Sequence, residues 1–434
     1  MRKVALSIAA SLLALSLFGG AELKFKIEPD HADHLYRIGE RAVFAVTVVP
    51  ASTNVVVTGG VVRAKLDNFG PKSVGEPLAF DLAKTNAFLV AGQLEEPGFL
   101  RLTLDAPGAE TTRWSVGYEP EKIRKGSPSP EDFDAFWAAA RARLAAEVPL
   151  DPQVLPVPEK STDAFSYYRV SFATFGRRVH GYMSVPKKGT GPYPVDFGVA
   201  AAGFGSWTNE MQGRDDAIRV YFSVYPFAPD WNWRTNGLRT AYEELDRKAK
   251  DRSGSVRYCQ SGIGISREDY FFYPVILGID RAIDWVAARP DVDRSRFIYQ
   301  GTSQGGGLGI ALVGLNRTFT RAAFFVPALT DLLGDTVGRQ AGWPFLLKTY
   351  GGQPELLDSV RTNAAYFDAA NFASRITCPV RFAVGFSDST CSPSAVYATF
   401  NEVRVADKEI RHGFGMTHSC FGKFYDELGA WCLK

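Results

Sequence analysis

The sequence predicts a small all-β sandwich of immunoglobulin-like type over residues 22–119, followed by an α/β domain with a mostly parallel sheet flanked by helices over residues 129–434. Three observations carry this. Apolar and polar residues alternate before about Pro120, apolar strands alternate with helical stretches after it, and 434 residues exceed what one hydrophobic core usually organises.

The opening stretch, MRKVALSIAASLLALSLFGGAELKF, places Arg2 and Lys3 ahead of an apolar run from Val4 to Phe18, followed by Gly19, Gly20 and Ala21. This reads as a secretory signal over residues 1–21, too short for a comfortable membrane span, and predicts export to the periplasm or the medium. Nothing later in the chain reaches membrane-spanning length.

From Leu23 the period is two: Leu23, Phe25 and Ile27 alternate with Lys24, Lys26 and Glu28, as in a strand with one buried face. The pattern returns in RAVFAVTVV, FLRLTLDA and RWSVGYEP, with Gly, Pro and Asn between, which is the mark of a sandwich. Trp114 is the sole tryptophan of this part, so no aromatic platform for sugar is evident, and a spacer or oligomer-contact role suits it as well as sugar binding.

Residues 120–128, within EPEKIRKGSPSP, read as a linker. Ser129, Pro130 and Asp132 then predict an N-cap, a first-turn proline and an acidic third position ahead of Phe133, Phe136, Trp137, Ala140 and Leu144 at helical spacing. Beyond them YRVSFATF, VDFGVAA, RFIYQG and CPVRFAVG read as strands, and YPVILGIDRAIDWVAARP as a helix. The stretch from Trp207 to Asp269 is less regular. Its Trp207, Trp231 and Trp233 either roof a site and stack on sugar rings or pack this excursion onto the domain.

With 49 Lys+Arg against 47 Asp+Glu the net charge is +2, and there is no basic cluster, zinc-ligand spacing or phosphate-binding glycine loop. Nucleic acid is excluded as an expected partner, and no metal site is predicted. The five cysteines, Cys259, Cys378, Cys391, Cys420 and Cys432, allow at most two disulfides in an exported protein, with pairing unassigned.

Chemistry concentrates in FIYQGTSQGGGLGIALVGL. Gly301, Ser303 and Gly305 fit Gly-x-Ser-x-Gly between a strand and a helix, the setting of a nucleophile elbow. Serine is a weak nucleophile, so it needs a base and an acid to orient that base. In α/β hydrolases the acid and histidine follow the serine in that order. Asp388 follows an apolar strand and lands at the carboxyl edge of the sheet, and His412 and His418 are the histidines beyond it. The oxyanion hole is expected from the backbone N–H of Gln304 and, at the end of an earlier strand, of Phe204.

These residues, with SPEDFDAFWAAA, SFATFGRRVHGYMSVPK, RAIDWVAARPDVDRSRFIYQG, VGFSDSTCSPSAVYATFNEV and the ending MTHS, resemble the acetylxylan esterase and cephalosporin C deacetylase family, carbohydrate esterase family seven. The resemblance puts His418 where that family has its catalytic histidine. It implies a secreted serine carboxylester hydrolase, without metal or organic cofactor, acting on acetylated xylo-oligosaccharides or small acetyl esters, with a homo-oligomer as one arrangement. Ser419 replaces the family's glutamate, Ala202, Gly203 and Phe204 replace its His-Gly-Tyr type loop, and no Arg-Gly-Gln motif occurs between Trp207 and Asp269. The chain therefore resembles a divergent member with an added N-terminal sandwich. A triad formed this way would bring Cys391 and Cys420 near each other, which allows a disulfide between them. The rival readings are a prolyl-oligopeptidase-like peptidase, whose leading β domains are usually far longer, and a non-catalytic carbohydrate-binding protein.

Overall fold

The computed structural model describes residues 23–52, 59–203, 212–228, 236–254 and 257–434. The expected signal at 1–21, and Phe204, Trp207, Trp231 and Trp233, lie outside them.

The first part is built from β1 (Leu23–Pro29), β2 (Leu35–Tyr36), β3 (Ala42–Pro50), β4 (Val61–Asp67), β5 (Leu78–Asp81), β6 (Ala87–Gly92), β7 (Gly98–Asp105) and β8 (Thr112–Tyr118). They make two sheets, β1-β3-β6 and β2-β8-β7-β4-β5. Phe44 and Val46 from one and Leu100 and Leu102 from the other share a single apolar core. The period-two pattern explains this: in β7, Leu100, Leu102 and Leu104 are buried while Asp105 is exposed.

The polar stretch that follows is tied down. Asn401 donates to the carbonyls of Pro120 (3.0 Å) and Ile123 (2.9 Å), Lys125 pairs with Glu402 (3.0 Å), and the Gly126 N–H donates to Asp331 (2.5 Å).

The second part is a mixed sheet of β9 (Gln153–Pro156), β10 (Phe165–Thr174), β11 (Arg177–Pro186), β12 (Tyr193–Val199), β13 (Ile218–Phe222), β14 (Val292–Thr302), β15 (Arg321–Phe325), β16 (Val380–Gly385) and β17 (Lys408–Gly413). Its order is β17-β16-β15-β14-β12-β13-β11-β10-β9. From β13 to β17 the neighbours run parallel, and β9, β10 and β11 pair antiparallel. Both faces are covered. In β14, Phe297 and Tyr299 enter the main core, while Ile298 on the opposite face joins Phe424, Leu428 and Cys432 of the helix Phe421–Leu433. This is the α/β hydrolase architecture. From β12 the chain goes on to β13 on one side, and from β14, the neighbour on the other side of β12, it goes on to β15. The strand order thus reverses between β12 and β14, and the crevice at the carboxyl ends of such a pair is where this class binds ligands.

Two local expectations need correction. The helix that opens the second part runs Phe133–Glu147, with Asp132 at its N-cap position and no side-chain capping bond. Ser129 does not cap it, because its hydroxyl is engaged by Lys125 (2.8 Å) and Asn371 (3.3 Å). The stretch read as irregular contains β13 and an eighteen-residue helix, Asn236–Ser253. Among the described side chains of that helix Tyr242, Leu245 and Ala249 face inward, and charged residues fill most of the remaining positions, which hides the stripe in the sequence.

Candidate active site

β14 ends at Thr302 and the helix Gln304–Leu315 begins two residues later, leaving Ser303 alone to reverse the chain. Its φ of 54° and ψ of −119° form a strained conformation for a residue with a Cβ. The turn is clamped from the neighbouring strand: the Ser303 N–H donates to the Phe325 carbonyl (2.8 Å), and the Ala328 N–H donates to the Ser303 carbonyl (2.9 Å). Glycine is needed here for close approach. A Cβ on Gly305 would strike the Val199 carbonyl oxygen, and one on Gly307 the Ala328 carbonyl oxygen. The helix thus starts pressed against two strand ends, which holds Ser303 at the sheet's carboxyl edge.

The acid arrives from the end of β16. Asp388 is fully buried. One carboxylate oxygen, Oδ1, accepts the N–H groups of Thr390 (2.8 Å) and Cys391 (3.0 Å), and the other, Oδ2, faces the His418 Nδ1 at 2.7 Å. Turn-forming contacts and the contact to the imidazole thus coexist in one side chain, one oxygen for each. The loop then ends at Ser392, whose hydroxyl caps the helix Pro393–Glu402 by accepting the Ala395 N–H (3.3 Å).

His418 follows β17, and backbone bonds join its loop to that of the acid. The Phe386 N–H donates to Gly413 (3.0 Å) and the Ser387 N–H to Met416 (2.9 Å). The imidazole Nε2 stands 3.0 Å from Ser303 Oγ. With Asp388 accepting the proton on Nδ1, the free Nε2 is left to accept the serine hydroxyl proton. The imidazole side chain is 31% exposed and that of Asp388 is 0%, so solvent reaches the ring and not its partner.

His412 lies elsewhere. Its Nε2 is 2.6 Å from the Tyr397 hydroxyl, and its ring packs against Phe386 and Phe414. Burial, reinforced by the Arg411 charge, pushes it down to about 4. His180, on β11, is likewise pushed down to about 4, by burial and then by Arg177 and Arg178.

Gln304 supplies the first N–H of its helix, a donor with no acceptor inside the helix. Its side chain is buried and pinned: Tyr258 Oη donates to its Oε1 (2.7 Å), and its Nε2 donates to the Ala200 carbonyl (3.2 Å). Sequence reasoning missed Tyr258, which lies outside any motif. Gly203, beside the second expected donor, has φ 99°, and Phe204 itself lies outside the described residues.

All five cysteines are free and buried, so the structure contains no Cys391–Cys420 disulfide. Burial and the Asp388 charge hold both thiols protonated, Cys391 well above its ordinary range and Cys420 up to about 12. Ligand-type atoms of Asp388, Cys391 and His418 fall within 4.8 Å of one another. The 2.7 Å between carboxylate and imidazole is nevertheless that of a hydrogen bond, shorter than the roughly 3.3 Å that two light-atom ligands of one tetrahedral zinc require. Among the described residues no helix is long and apolar enough to cross a membrane.

Residues 119–434 match the model of a family described as acetyl xylan esterase (AXE1). The acetyl esterase Axe7A of Xylanibacter ruminicola is 30% identical over 391 residues, 88% of this chain and 83% of that protein. That span exceeds the 316 residues from 119 to 434, so the likeness extends into the N-terminal β-structure. Among solved structures, the acetyl xylan esterase from Paenibacillus sp. R4 has a TM-score of 0.59 at 24% identity, covering 72% of this chain and 98% of its own. Acetyl xylan esterase 1 from Thermoanaerobacterium sp. JW/SL YS485 gives 0.61 at 21%, covering 73% and 97%. These two share the fold and leave about a quarter of the present chain without a counterpart.

Proposed function

The chain belongs to the acetyl xylan esterase family and is a carboxylic ester hydrolase, and on that premise we propose that it removes acetyl groups from acetylated saccharides through a serine acyl-enzyme. The observation that carries this reading is the continuous chain of hydrogen bonds from Ser303 Oγ through His418 to Asp388, at 3.0 and 2.7 Å.

In this reading Ser303 Oγ attacks the acetyl carbonyl while its proton passes to His418 Nε2. Asp388 holds the imidazolium through Nδ1–H, and the Gln304 N–H faces the developing oxyanion, with the Phe204 N–H as second donor. Collapse breaks the bond to the sugar oxygen, which takes the proton from Nε2, and the acetyl group stays on Ser303. Water then attacks the acyl-enzyme with His418 again as base, releasing acetate and restoring the hydroxyl.

Acetylated xylo-oligosaccharides are the substrate class we favour, since the similar proteins are named for acetyl esters and for xylan. Arg2, Lys3 and the apolar run from Val4 to Phe18 support export. We read the N-terminal β-structure as a sandwich domain of immunoglobulin-like type, joined to the esterase domain through residues 120–128. Hydrolysis of para-nitrophenyl acetate and of acetylated xylo-oligosaccharides by wild type and by Ser303→Ala tests the proposal. Turnover of both by wild type, lost in the variant, supports it; equal turnover by the two proteins contradicts it.

A further inference from the structure

The N-terminal β-structure reaches both loops that carry the acid and the base. Phe99 of β7 is fully buried, meets Phe386 edge-on at 5.0 Å between ring centroids, and leans on Tyr397 at 5.7 Å. Phe386 precedes Asp388 by two residues and bonds to the neighbouring loop through its N–H.

On the other loop, His34 stacks on Phe414 at 4.2 Å, with the rings 13° from parallel. Trp114 lies against Gly415, where a Cβ would strike the indole. Gly415 has φ 63°, a left-handed turn three residues before His418. The His34 Nδ1 and Trp114 Nε1 find no hydrogen-bond partner among the described residues, so both side chains act here through their rings.

A third path is polar. Asn68 donates to the Gly338 carbonyl (3.2 Å), Gln340 donates to the Ser389 carbonyl (2.7 Å), and the Ser392 hydroxyl donates to the Gln340 carbonyl (3.2 Å). This path ends on the two sides of the loop holding Asp388.

We propose that the N-terminal β-structure is a positioning element of the active site, in which His34, Trp114 and Phe99 fix the loops that set His418 against Asp388 and Ser303. The inference rests on the esterase reading above. None of the three residues touches the reacting atoms. They act by confining loops whose displacement of about 1 Å costs on the order of a hundredfold in rate. A spacer would contact the second part away from these two loops; this one contacts both.

The test uses the full chain with His34→Ala, Trp114→Ala and Trp114→Phe. For the two alanine variants kcat on para-nitrophenyl acetate falls tenfold or more, on the order expected for a displaced base, while KM changes by less than about twofold. Trp114→Phe, which keeps a ring over Gly415, recovers most of the rate. The far-downfield proton resonance of the His418 Nδ1–H, which depends on the pairing with Asp388, broadens in the alanine variants and sharpens again in Trp114→Phe. Variants folded by circular dichroism with wild-type kcat and an unchanged resonance overturn the proposal. If Trp114→Ala does not fold, His34→Ala decides. If wild type itself lacks serine-dependent turnover, the esterase reading fails, and the resonance still reports whether the loops are held.

Discussion

The Tyr258 hydroxyl donates to the Gln304 side-chain carbonyl at 2.7 Å, in a pocket where both residues are buried. Gln304 in turn reaches the Ala200 carbonyl at the end of β12, so one amide ties the residue after Ser303 to the strand on the far side of the crevice. Tyr258→Phe leaves Oε1 buried without its donor, which costs about 1–3 kcal/mol. Urea unfolding reads this as a lower midpoint with the slope unchanged, and kcat falls with it because the residue proposed as oxyanion donor loses its anchor. An unchanged midpoint and kcat would mean that the amide is held without Tyr258.

The second prediction concerns the elbow. Gly305→Ala places a methyl group against the Val199 carbonyl, and backbone on both sides leaves no flexible side chain to move. We expect a loss at or above the upper end of the roughly 1–3 kcal/mol seen for overpacking. Gly422→Ala, where a Cβ meets nothing within 4 Å, is the matched control and stays near wild type. Urea midpoints for the two variants measure the difference.

A third prediction is set by pH. His412 is pushed down to about 4 in the folded protein by burial and by Arg411, below the ordinary value of 6.5. Between about pH 6.5 and 4 the unfolded chain therefore binds a proton that the folded one refuses. Stability contributed by neutral His412 is full above 6.5 and is lost as pH falls towards 4. His412→Gln removes this titration and so loses less stability than wild type between pH 7.5 and 5, whatever its offset at pH 7.5. His180 has the same sign and stays in both proteins, so the variant's curve flattens without becoming level. Parallel curves for the two proteins would contradict the assignment.

The candidate site was legible in the sequence where a steric constraint fixes residue type. The Ser303 turn demands glycine on either side, and Asp388 follows its strand closely enough that the sheet delivers it to the site. What sequence could not give was anything that depends on packing between distant segments. Tyr258 is 46 residues from Gln304, and His34 is far along the chain from Phe414; no local pattern links either pair. The helix Asn236–Ser253 was hidden because its apolar residues are interspersed in a sequence dominated by charge, EELDRKAKDR. The expected cap at Ser129 failed because tertiary partners took the hydroxyl.

Acid-quenched reaction of the wild-type protein with para-nitrophenyl acetate, followed by peptide mass mapping, tests the central claim most directly. The account predicts an acetyl group on the peptide containing Ser303, formed within the first turnover and absent from Ser303→Ala. Rapid turnover with no acetyl on that peptide, or with acetyl on another residue that turns over at the catalytic rate, would contradict it.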